Sequence, residues 1–503
     1  MGGCLERRIE ILAEEYLEKS RKPDFGNFRK VTGEHIVMEH ITQEDNVVEF
    51  GAQKCEHVTR RYDIQECEHV THGCDTQECE HATRGCDTQE CEHATRGCDT
   101  QECEHATLGY GTQKCEHIIR EYVELHHDET IALLKKLAVI PAPSGQEEKR
   151  AAFVCKWLHK QGATEAFIDE VGNVVYPYQC ETEQKLTVVM AHMDVVCQDT
   201  EELPLKEADG YLIGPGVRDD TANLVNMLMA IKFLFSHEAE KLCDKAASAL
   251  CGRRENGILF VADVGEEGLG NLKGSRQIWK DYGSRIDRWI CFDLNYNVIY
   301  NRAVGSRRYR ISVHSEGGHS YKDFGKENAI VRLAEVITEL YQVALPQNAR
   351  VTYNVGRIEG GTTVNTIAQE ASMLYEFRSE SEEAMQFMEN FLQNTLQRYQ
   401  KKGVRIEAEV LGIRPGNGRV DEKKQEKLTQ RCRNIIRKYY DGDIICDAGS
   451  TDGNIPLSHG VPSVTIGTAL GDGTHTRQET VEIESMKTGQ KIAVELICDL
   501  ISG

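Results

Sequence analysis

Apolar and polar residues follow regular patterns along the chain from about residue 128 onward. Short apolar runs without polar alternation, such as 186–191 and 258–262, are typical of strands buried on both faces of a parallel sheet. A longer segment, 221–235, has apolar residues at helical spacing and predicts an amphipathic helix. Strands and helices alternate in this way over most of the region, so the pattern predicts an α/β domain with a central sheet.

The pattern changes between residues 305 and 414. Predicted strands and helices follow one another there as strand 308–315, helix 328–343, strands 350–358 and 370–379, helix 381–402 and strand 405–413. The order β-α-β-β-α-β is that of a ferredoxin-like α+β domain. We therefore predict a catalytic domain in two parts, 124–304 and 415–503, and an inserted domain at 305–414, which we call the insert.

Residues 52–123 are six tandem copies of a twelve-residue unit that contains Cys-Glu-His. Cys and His are zinc ligands, so one interpretation is a metal-binding tract. The units contain almost no aliphatic residues and cannot bury enough surface to offset chain entropy, so we favour a largely disordered insertion. The structure of residues 1–51 is left open. Because Asp128 is predicted to cap the first catalytic helix, a chain that begins near Val123 is predicted to fold.

Composition excludes several classes of partner. A net charge of −22 argues against binding to nucleic acid or to an anionic membrane surface. No apolar run approaches the ~20 residues that span a membrane, and no apolar signal segment follows Met1. We therefore expect a cytoplasmic protein whose 19 cysteines are free thiols or metal ligands.

Histidines and carboxylates gather at the predicted ends of the buried strands. In His192-Met-Asp194, the imidazole could bind a metal while the carboxylate orients the ring. Five residues are candidate metal ligands: His192, Asp219, Glu267, Asp293 and His475. This mixed set suits zinc or a similar divalent metal, and it fits two ions if one carboxylate bridges them. Glu266, next to Glu267, is the candidate general base for a water between the metals.

These motifs resemble, in order, those of the co-catalytic zinc exopeptidase and deacylase family that contains peptidase T, carboxypeptidase G, carnosinase and the aminoacylases. The resemblance runs from about Asp128 to the end of the chain and rests on four motifs: His192-Met-Asp194, Gly216-Val-Arg-Asp219-Asp220, Glu266-Glu267-Gly268 and Gly473-Thr-His475. It implies two Zn²⁺ ions per chain, which Mn²⁺ or Co²⁺ can replace. Asp219 would bridge them and precede a cis peptide bond, His192 and Asp293 would hold one ion, and Glu267 and His475 the other.

The resemblance also assigns roles within the insert. His319, in Gly317-Gly318-His319-Ser320, would be a lid histidine that polarises the scissile carbonyl group, and Asn365 and Arg378 would hold the substrate. A guanidinium group binds a carboxylate in a bidentate fork, but a structural salt bridge is the competing interpretation of Arg378. The loop containing Ser450, Thr451, Asp452 and Asn454 would lie near the pocket. A homodimer through the insert is left open, with the lid histidine supplied by the same chain or by a partner subunit.

The sequence thus predicts a di-zinc hydrolase that cleaves an amide bond of small peptides, as a dipeptidase or a tripeptide aminopeptidase. A deacylase acting on N-acyl amino acids would use the same residues, and pocket shape separates these two alternatives. A non-catalytic metal-binding or scaffold protein is the third alternative. It is disfavoured because all five ligands and the base are present.

Overall fold

The computed structural model describes residues 100–180, 184–239 and 256–502, with side chains from residue 115 onward. Residues 1–99 lie outside the described part, and with them the segment 1–51 and the first four repeat copies. The predictions made for those regions remain predictions. The last two copies, residues 100–123, are within the described part and are helical.

The first part of the catalytic domain contains three of the strands that carry the candidate site residues. Its described helices are α1 (Thr100–Ala138), α2 (Glu148–Lys160), α3 (Asn223–Phe233) and α4 (Lys273–Tyr282). Its described strands are β1 (Phe167–Ile168), β2 (Val174–Tyr178), β3 (Lys185–His192), β4 (Lys206–Ala208), β5 (Tyr211–Ile213), β6 (Asn256–Asp263), β7 (Ile286–Phe292) and β8 (Val298–Ala303). The apolar runs that predicted buried strands correspond to β3 and β6, in which nearly every residue is buried.

The insert has the predicted ferredoxin-like arrangement. Its elements are β9 (Gly305–His314), β10 (Gly318–His319), α5 (Ala329–Leu340), β11 (Val351–Gly360), β12 (Thr366–Ile367), β13 (Glu370–Ser379), α6 (Glu382–Lys401) and β14 (Arg405–Arg414). Four strands form an antiparallel sheet in the order β11-β13-β9-β14. Odd-numbered residues such as Tyr309, Ile311 and Phe377 pack in a core with α5 and α6, so the even-numbered residues of β9 and β13 belong to the opposite face.

The remaining elements complete a mixed central sheet. They are α7 (Glu422–Arg437), β15 (Ile445–Gly449), α8 (Asn454–Ser458), β16 (Ser463–Ile466), β17 (Thr480–Glu482) and α9 (Ser485–Ser502). The eight-stranded sheet has the order β1-β2-β6-β3-β7-β16-β8-β15, and β17, β5 and β4 form a separate small sheet. Neighbours β6, β3, β7 and β16 are parallel, so their carboxyl ends lie at one edge. Among the described helices, none has the length and apolar character needed to cross a membrane.

Helix α1 corrects the prediction for the start of the catalytic domain. Asp128 does not cap a helix, because α1 continues through it from Thr100 to Ala138. The predicted boundary at residue 123 also falls inside α1. Just before that boundary, Ile119 and Tyr122 are at most 1% exposed and pack in the main core with residues of α3 and α9. The last repeat copy is therefore part of the folded domain.

The helical form of the last copy also bears on its Cys-Glu-His tripeptide. Residues two apart on a helix point in different directions, so Cys115 and His117 do not present their side chains to one ion. Cys115 packs against the main core, whereas His117 is exposed and pairs with Glu121. In this copy the tripeptide does not form a chelating pair.

Candidate metal centre

All five predicted metal ligands lie at the carboxyl edge of the parallel strands. His192 is the last residue of β3, Asp293 follows β7, and Glu266 and Glu267 follow β6. His475 lies in the long loop between β16 and β17. Asp219 lies in the irregular turn Val217–Ala222 before α3, and the peptide bond from Asp219 to Asp220 is cis, in agreement with the expectation from the motif.

Asp219 is the central residue of the cluster. Its Oδ1 atom lies 3.2 Å from Nε2 of His192, and its Oδ2 atom lies 3.3 Å from Nε2 of His475. The same His475 nitrogen lies 3.2 Å from Oε1 of Glu267. The two oxygens of one carboxylate thus face two different imidazole groups, which is the arrangement expected of a carboxylate that bridges two cations.

The remaining candidate ligands complete the cluster on both sides of Asp219. Ligand atoms of His192, Asp219, Asp220 and Asp293 lie within 4.8 Å of one another, as do those of Asp219, Glu267 and His475. Glu266 is grouped in the same way with His192 and Glu267. These carboxylate and imidazole donors fit zinc or a similar divalent metal, and their number fits two ions.

Electrostatics at the cluster also favours cations. Hydrogen bonds to Asp219 and Glu267 raise the pKa of His475 to about 10. Burial, together with the nearby charge of Asp219, raises the pKa of the Asp293 carboxyl group to about 7. Both shifts follow from carboxylates crowded in a partly enclosed space, where negative charge is unfavourable without a cation nearby. A divalent metal would supply that positive charge.

Asp194 holds several parts of the centre in place. Its Oδ1 atom lies 3.4 Å from Nδ1 of His192, and that nitrogen also lies 3.0 Å from the Asp194 backbone oxygen. The carboxylate accepts hydrogen bonds from the backbone N–H groups of Glu266 and Glu267 and from the Ser144 hydroxyl group. The side chain is therefore placed to orient a ligand ring, the part predicted for it, and it also fixes the loop that carries Glu266 and Glu267.

Glu479 is a buried residue of the site that sequence reasoning missed. Its carboxylate accepts hydrogen bonds from the backbone N–H groups of Gly216, Arg218 and Asp219 at 2.8–3.2 Å. Burial raises its pKa to about 6. Glu479 thereby anchors the turn that presents Asp219, and its only sequence signal is its position four residues after His475. Asp220 belongs to the second motif but was given no role of its own; its Oδ2 atom accepts a hydrogen bond from the backbone N–H of His192.

The predicted lid histidine His319 and the two predicted substrate-binding residues, Asn365 and Arg378, lie in the insert. His319 and Asn365 are exposed neighbours, since the backbone N–H of Ser320 donates to the Asn365 carbonyl group. The His319 ring accepts hydrogen bonds within its own loop, and the described residues give it no contact with the cluster. Arg378 is the next-to-last residue of β13 and lies opposite Ser306, at the end of the sheet where the insert begins. Its Nε and Nη2 atoms donate to the two oxygens of Glu376, each at 3.0 Å.

The loop after β15 supports its surroundings through buried hydrogen bonds. Asp452 and Asn454 are almost fully buried. Asn454 donates to the backbone oxygens of Val304 and Pro415, which lie at the two junctions between catalytic domain and insert. Asp452 accepts a hydrogen bond from the Ser275 hydroxyl group. These contacts give the loop a structural role at the junctions, and its predicted place near the pocket stays a prediction.

A cavity of about 200 Å³ opens onto the metal cluster. Asp219, Glu267 and His475 line it, together with Cys197 and Arg477. The Arg477 guanidinium donates to Asp199 at 2.7 Å, which holds it at the edge of the cavity. A small substrate could therefore reach the candidate ligands from solvent.

Comparisons with known proteins concern the fold and one domain of the chain. Residues 301–404 match the M20-type peptidase dimerisation domain. An uncharacterised protein of Bacillus subtilis is 25% identical over 65% of this chain and 84% of its own length. Succinyl-diaminopimelate desuccinylase of Corynebacterium glutamicum is 21% identical over 71% of this chain and 93% of its own. A tripeptidase from Staphylococcus aureus shares the fold, with a TM-score of 0.59 and 20% identity over 75% of this chain and 99% of its own. The resemblance and the fold class predicted from the motifs are confirmed.

Proposed function

We propose that this chain is a metal-dependent hydrolase that cleaves an amide bond in small peptides. It matches the M20-type peptidase dimerisation domain and shares the fold of a tripeptidase. The observation that carries the proposal is the position of Asp219, whose two oxygens face His192 and His475 at 3.2 and 3.3 Å. A carboxylate in this position can bridge two divalent cations, and zinc is the cation that the donor set fits best.

Each residue at the centre has a defined part in the proposed reaction. His192 and Asp293 would hold one cation, Glu267 and His475 the other. Bound cations of this kind lower the pKa of a water molecule and polarise a carbonyl group. Glu266 would accept the proton of the attacking water and deliver it to the leaving amine. Asp194 contacts both the His192 ring and the Glu266–Glu267 backbone, and so fixes their relative positions.

Arg378 is the residue proposed to recognise the substrate's terminal carboxylate. Its Nε and Nη2 atoms are taken by Glu376, but its Nη1 atom donates no hydrogen bond to the described residues. The salt bridge and the substrate role are therefore compatible, because Glu376 occupies one edge of the guanidinium group and leaves the other available. Glu376 would then orient Arg378.

A peptidase is the first choice of substrate class and a deacylase the second. The similarity to a tripeptidase in fold supports the former, and the similarity to a desuccinylase along most of the sequence supports the latter. Assays of di- and tripeptides alongside N-acetyl amino acids, with zinc, manganese or cobalt added, test both. Hydrolysis of free peptides supports the first choice. Turnover of acylated amino acids alone would establish the second, and no turnover of either class would contradict the proposed function.

Arg378→Ala is expected to lower kcat/KM for peptides with a free terminal carboxylate. A hydrogen bond to a charged group contributes about 1.5–3 kcal/mol, which is roughly a 10- to 150-fold loss. For amidated versions of the same peptides, which have no terminal carboxylate, Arg378→Ala should change kcat/KM little. Arg310→Ala is the matched control, because Arg310 lies on the same face of the insert's sheet and pairs with exposed Glu409 instead. Equal losses with free and amidated peptides would leave Arg378 with a structural part only.

We further propose that the protein is a homodimer through the insert. Strand β11 is an edge of the insert's sheet, and none of its residues is buried. The loops that carry His319 and Asn365 also expose Tyr321, Phe324 and Val364 nearly completely. Exposed apolar side chains around an open strand edge are typical of a protein–protein contact. A dimer of this kind would let His319 reach the metal centre of the partner subunit.

Complementation between two inactive variants tests that arrangement. His319→Ala and Glu266→Gln are each expected to be nearly inactive. After dissociation and random reassembly, the mixture should regain about a quarter of wild-type activity, since half of the dimers are mixed and each has one intact site. If the mixture has only the summed activity of the two variants, His319 does not act across the dimer.

A further inference from the structure

Glu266, the proposed general base, is bound to a buried arginine at the end of the insert. Arg414 is the last residue of β14 and is 5% exposed. Its Nη1 atom donates to Oε1 of Glu266 at 2.9 Å, and its Nη2 atom donates to the backbone oxygen of the same residue. The Nη1 atom also donates to the Ser450 carbonyl group at 3.1 Å. One guanidinium group thus fixes both the side chain and the backbone of Glu266.

The second carboxylate oxygen of Glu266 remains available. It accepts no hydrogen bond from the described residues, and Glu266 presents a ligand atom within 4.8 Å of those of His192 and Glu267. A glutamate side chain has three rotatable bonds, so an unrestrained one would occupy several rotamers. With Oε1 held by Arg414, the carboxylate has one oxygen fixed and the other free to face the reacting water.

A second arginine binds the same loop from the insert. The Nη1 atom of Arg308, on β9, donates to the backbone oxygen of Gly268. In the sheet register Arg414 is opposite Ser306, two residues from Arg308 on the same face of β9. Both arginines therefore extend to the loop Glu266–Gly268 from the end of the insert's sheet that adjoins the catalytic domain. The position of this loop is tied to the position of the insert.

We propose that Arg414 is a positioning residue for the base: it holds the Glu266 carboxylate in its working orientation and ties that orientation to the seating of the insert. This inference rests on the proposed function, because it gives Glu266 its part in catalysis. Misplacement of a catalytic group by about 1 Å can cost 10²-fold in rate, so the effect of losing Arg414 belongs in kcat. A residue that binds substrate would instead change KM.

The test compares Arg414→Ala with Arg414→Lys in the full chain, once wild-type turnover of a peptide has been measured. Arg414→Ala is expected to lower kcat about 10²-fold with KM little changed and metal content retained. Guanidinium chloride at millimolar concentration should restore part of the lost kcat, because the small cation can occupy the space left beside Glu266. Arg414→Lys keeps the positive charge but not the two-point contact, so its kcat should lie between that of wild type and that of Arg414→Ala.

Arg276→Gln is the matched control. Arg276 lies at the same junction and donates to the Ile413 backbone oxygen, but it does not touch Glu266. Its kcat should stay near wild type and should not respond to guanidinium. The inference is overturned if Arg414→Ala raises KM with kcat intact, if guanidinium fails to restore activity in a folded and metal-loaded variant, or if Arg276→Gln lowers kcat equally. An Arg414→Ala protein that does not fold is judged on Arg414→Lys, whose wild-type kcat would equally overturn it. A wild-type chain inactive on every substrate would instead count against the proposed function.

Discussion

Glu266→Gln is expected to lower kcat by about 10²- to 10⁴-fold while the protein keeps its bound metal. Glutamine has the same shape as glutamate, and its amide oxygen can still accept the hydrogen bond that Arg414 donates at 2.9 Å. What it lacks is the ability to accept and return a proton. Because Asp219, Glu267 and the two histidines remain, the cluster retains the donors that hold cations.

Asp219→Asn provides the matched comparison, since it also replaces one buried carboxylate of the cluster by its amide. An amide has one oxygen in place of the two that face His192 and His475, so this variant should lose metal and activity together. Metal content by elemental analysis and kcat under metal saturation separate the two variants. Activity of Glu266→Gln within a few-fold of wild type would remove Glu266 from the role of base, and loss of metal would make it a ligand.

The grouping of the candidate ligands could be predicted from sequence because it follows a rule of parallel sheets. Strands β3, β6, β7 and β16 are parallel neighbours, and residues that follow them in sequence must meet at one edge of the sheet. His192 ends such a run, Asp293 follows one directly, and Glu267 lies four residues beyond another. Asp219 required the motif resemblance in addition, because it lies in an irregular turn that no hydrophobic period describes.

The residues that support the candidate ligands could not be predicted in this way. Glu479 bonds to backbone groups some 260 positions earlier, and Arg414 meets Glu266 across 148 positions. Local pattern carries no record of such pairings. The signals that exist are weak. Glu479 is a carboxylate four residues after His475, and Arg414 is a charged residue at the end of β14, where the insert ends.

Helix α1 shows a different reason for failure. Its buried residues at 119, 123, 130, 134 and 137, all of them apolar except Thr130, keep helical spacing across the predicted boundary. The prediction stopped at Asp128 because an acidic residue before an apolar stripe is a common helix start. It also treated the last repeat copy as equivalent to the others, although this copy alone has two adjacent isoleucines, Ile118 and Ile119. A local capping signal was given more weight than a continuous period.

Removal of residues 1–123 is therefore expected to destabilise the protein strongly, whereas removal of residues 1–99 is not. The longer truncation deletes Ile118, Ile119, Tyr122 and Val123, which are 0–6% exposed. Full burial of such side chains contributes about 1.5–3 kcal/mol each, so the four together account for about 6–12 kcal/mol. That is comparable with the entire stability of a typical domain, about 5–15 kcal/mol. The Tyr122 ring also packs edge-on against that of Phe233, with 4.8 Å between the ring centroids, so the loss of Tyr122 exposes α3.

Urea denaturation of the two truncated chains, followed by circular dichroism, measures the difference directly. The chain that begins at Thr100 should unfold at the same midpoint as the full chain and keep its peptide-cleaving activity. The chain that begins at Glu124 should be unfolded or unfold at a much lower midpoint, and Tyr122→Ala in the full chain should show part of the same loss, about 3–5 kcal/mol. Equal midpoints for the two truncated chains would mean that the repeat end of α1 contributes nothing to the core. Zinc content of the full chain and of the chain from Thr100 then decides whether residues 1–99, which include the first four repeat copies, bind metal, because a clear excess in the full chain belongs to that segment.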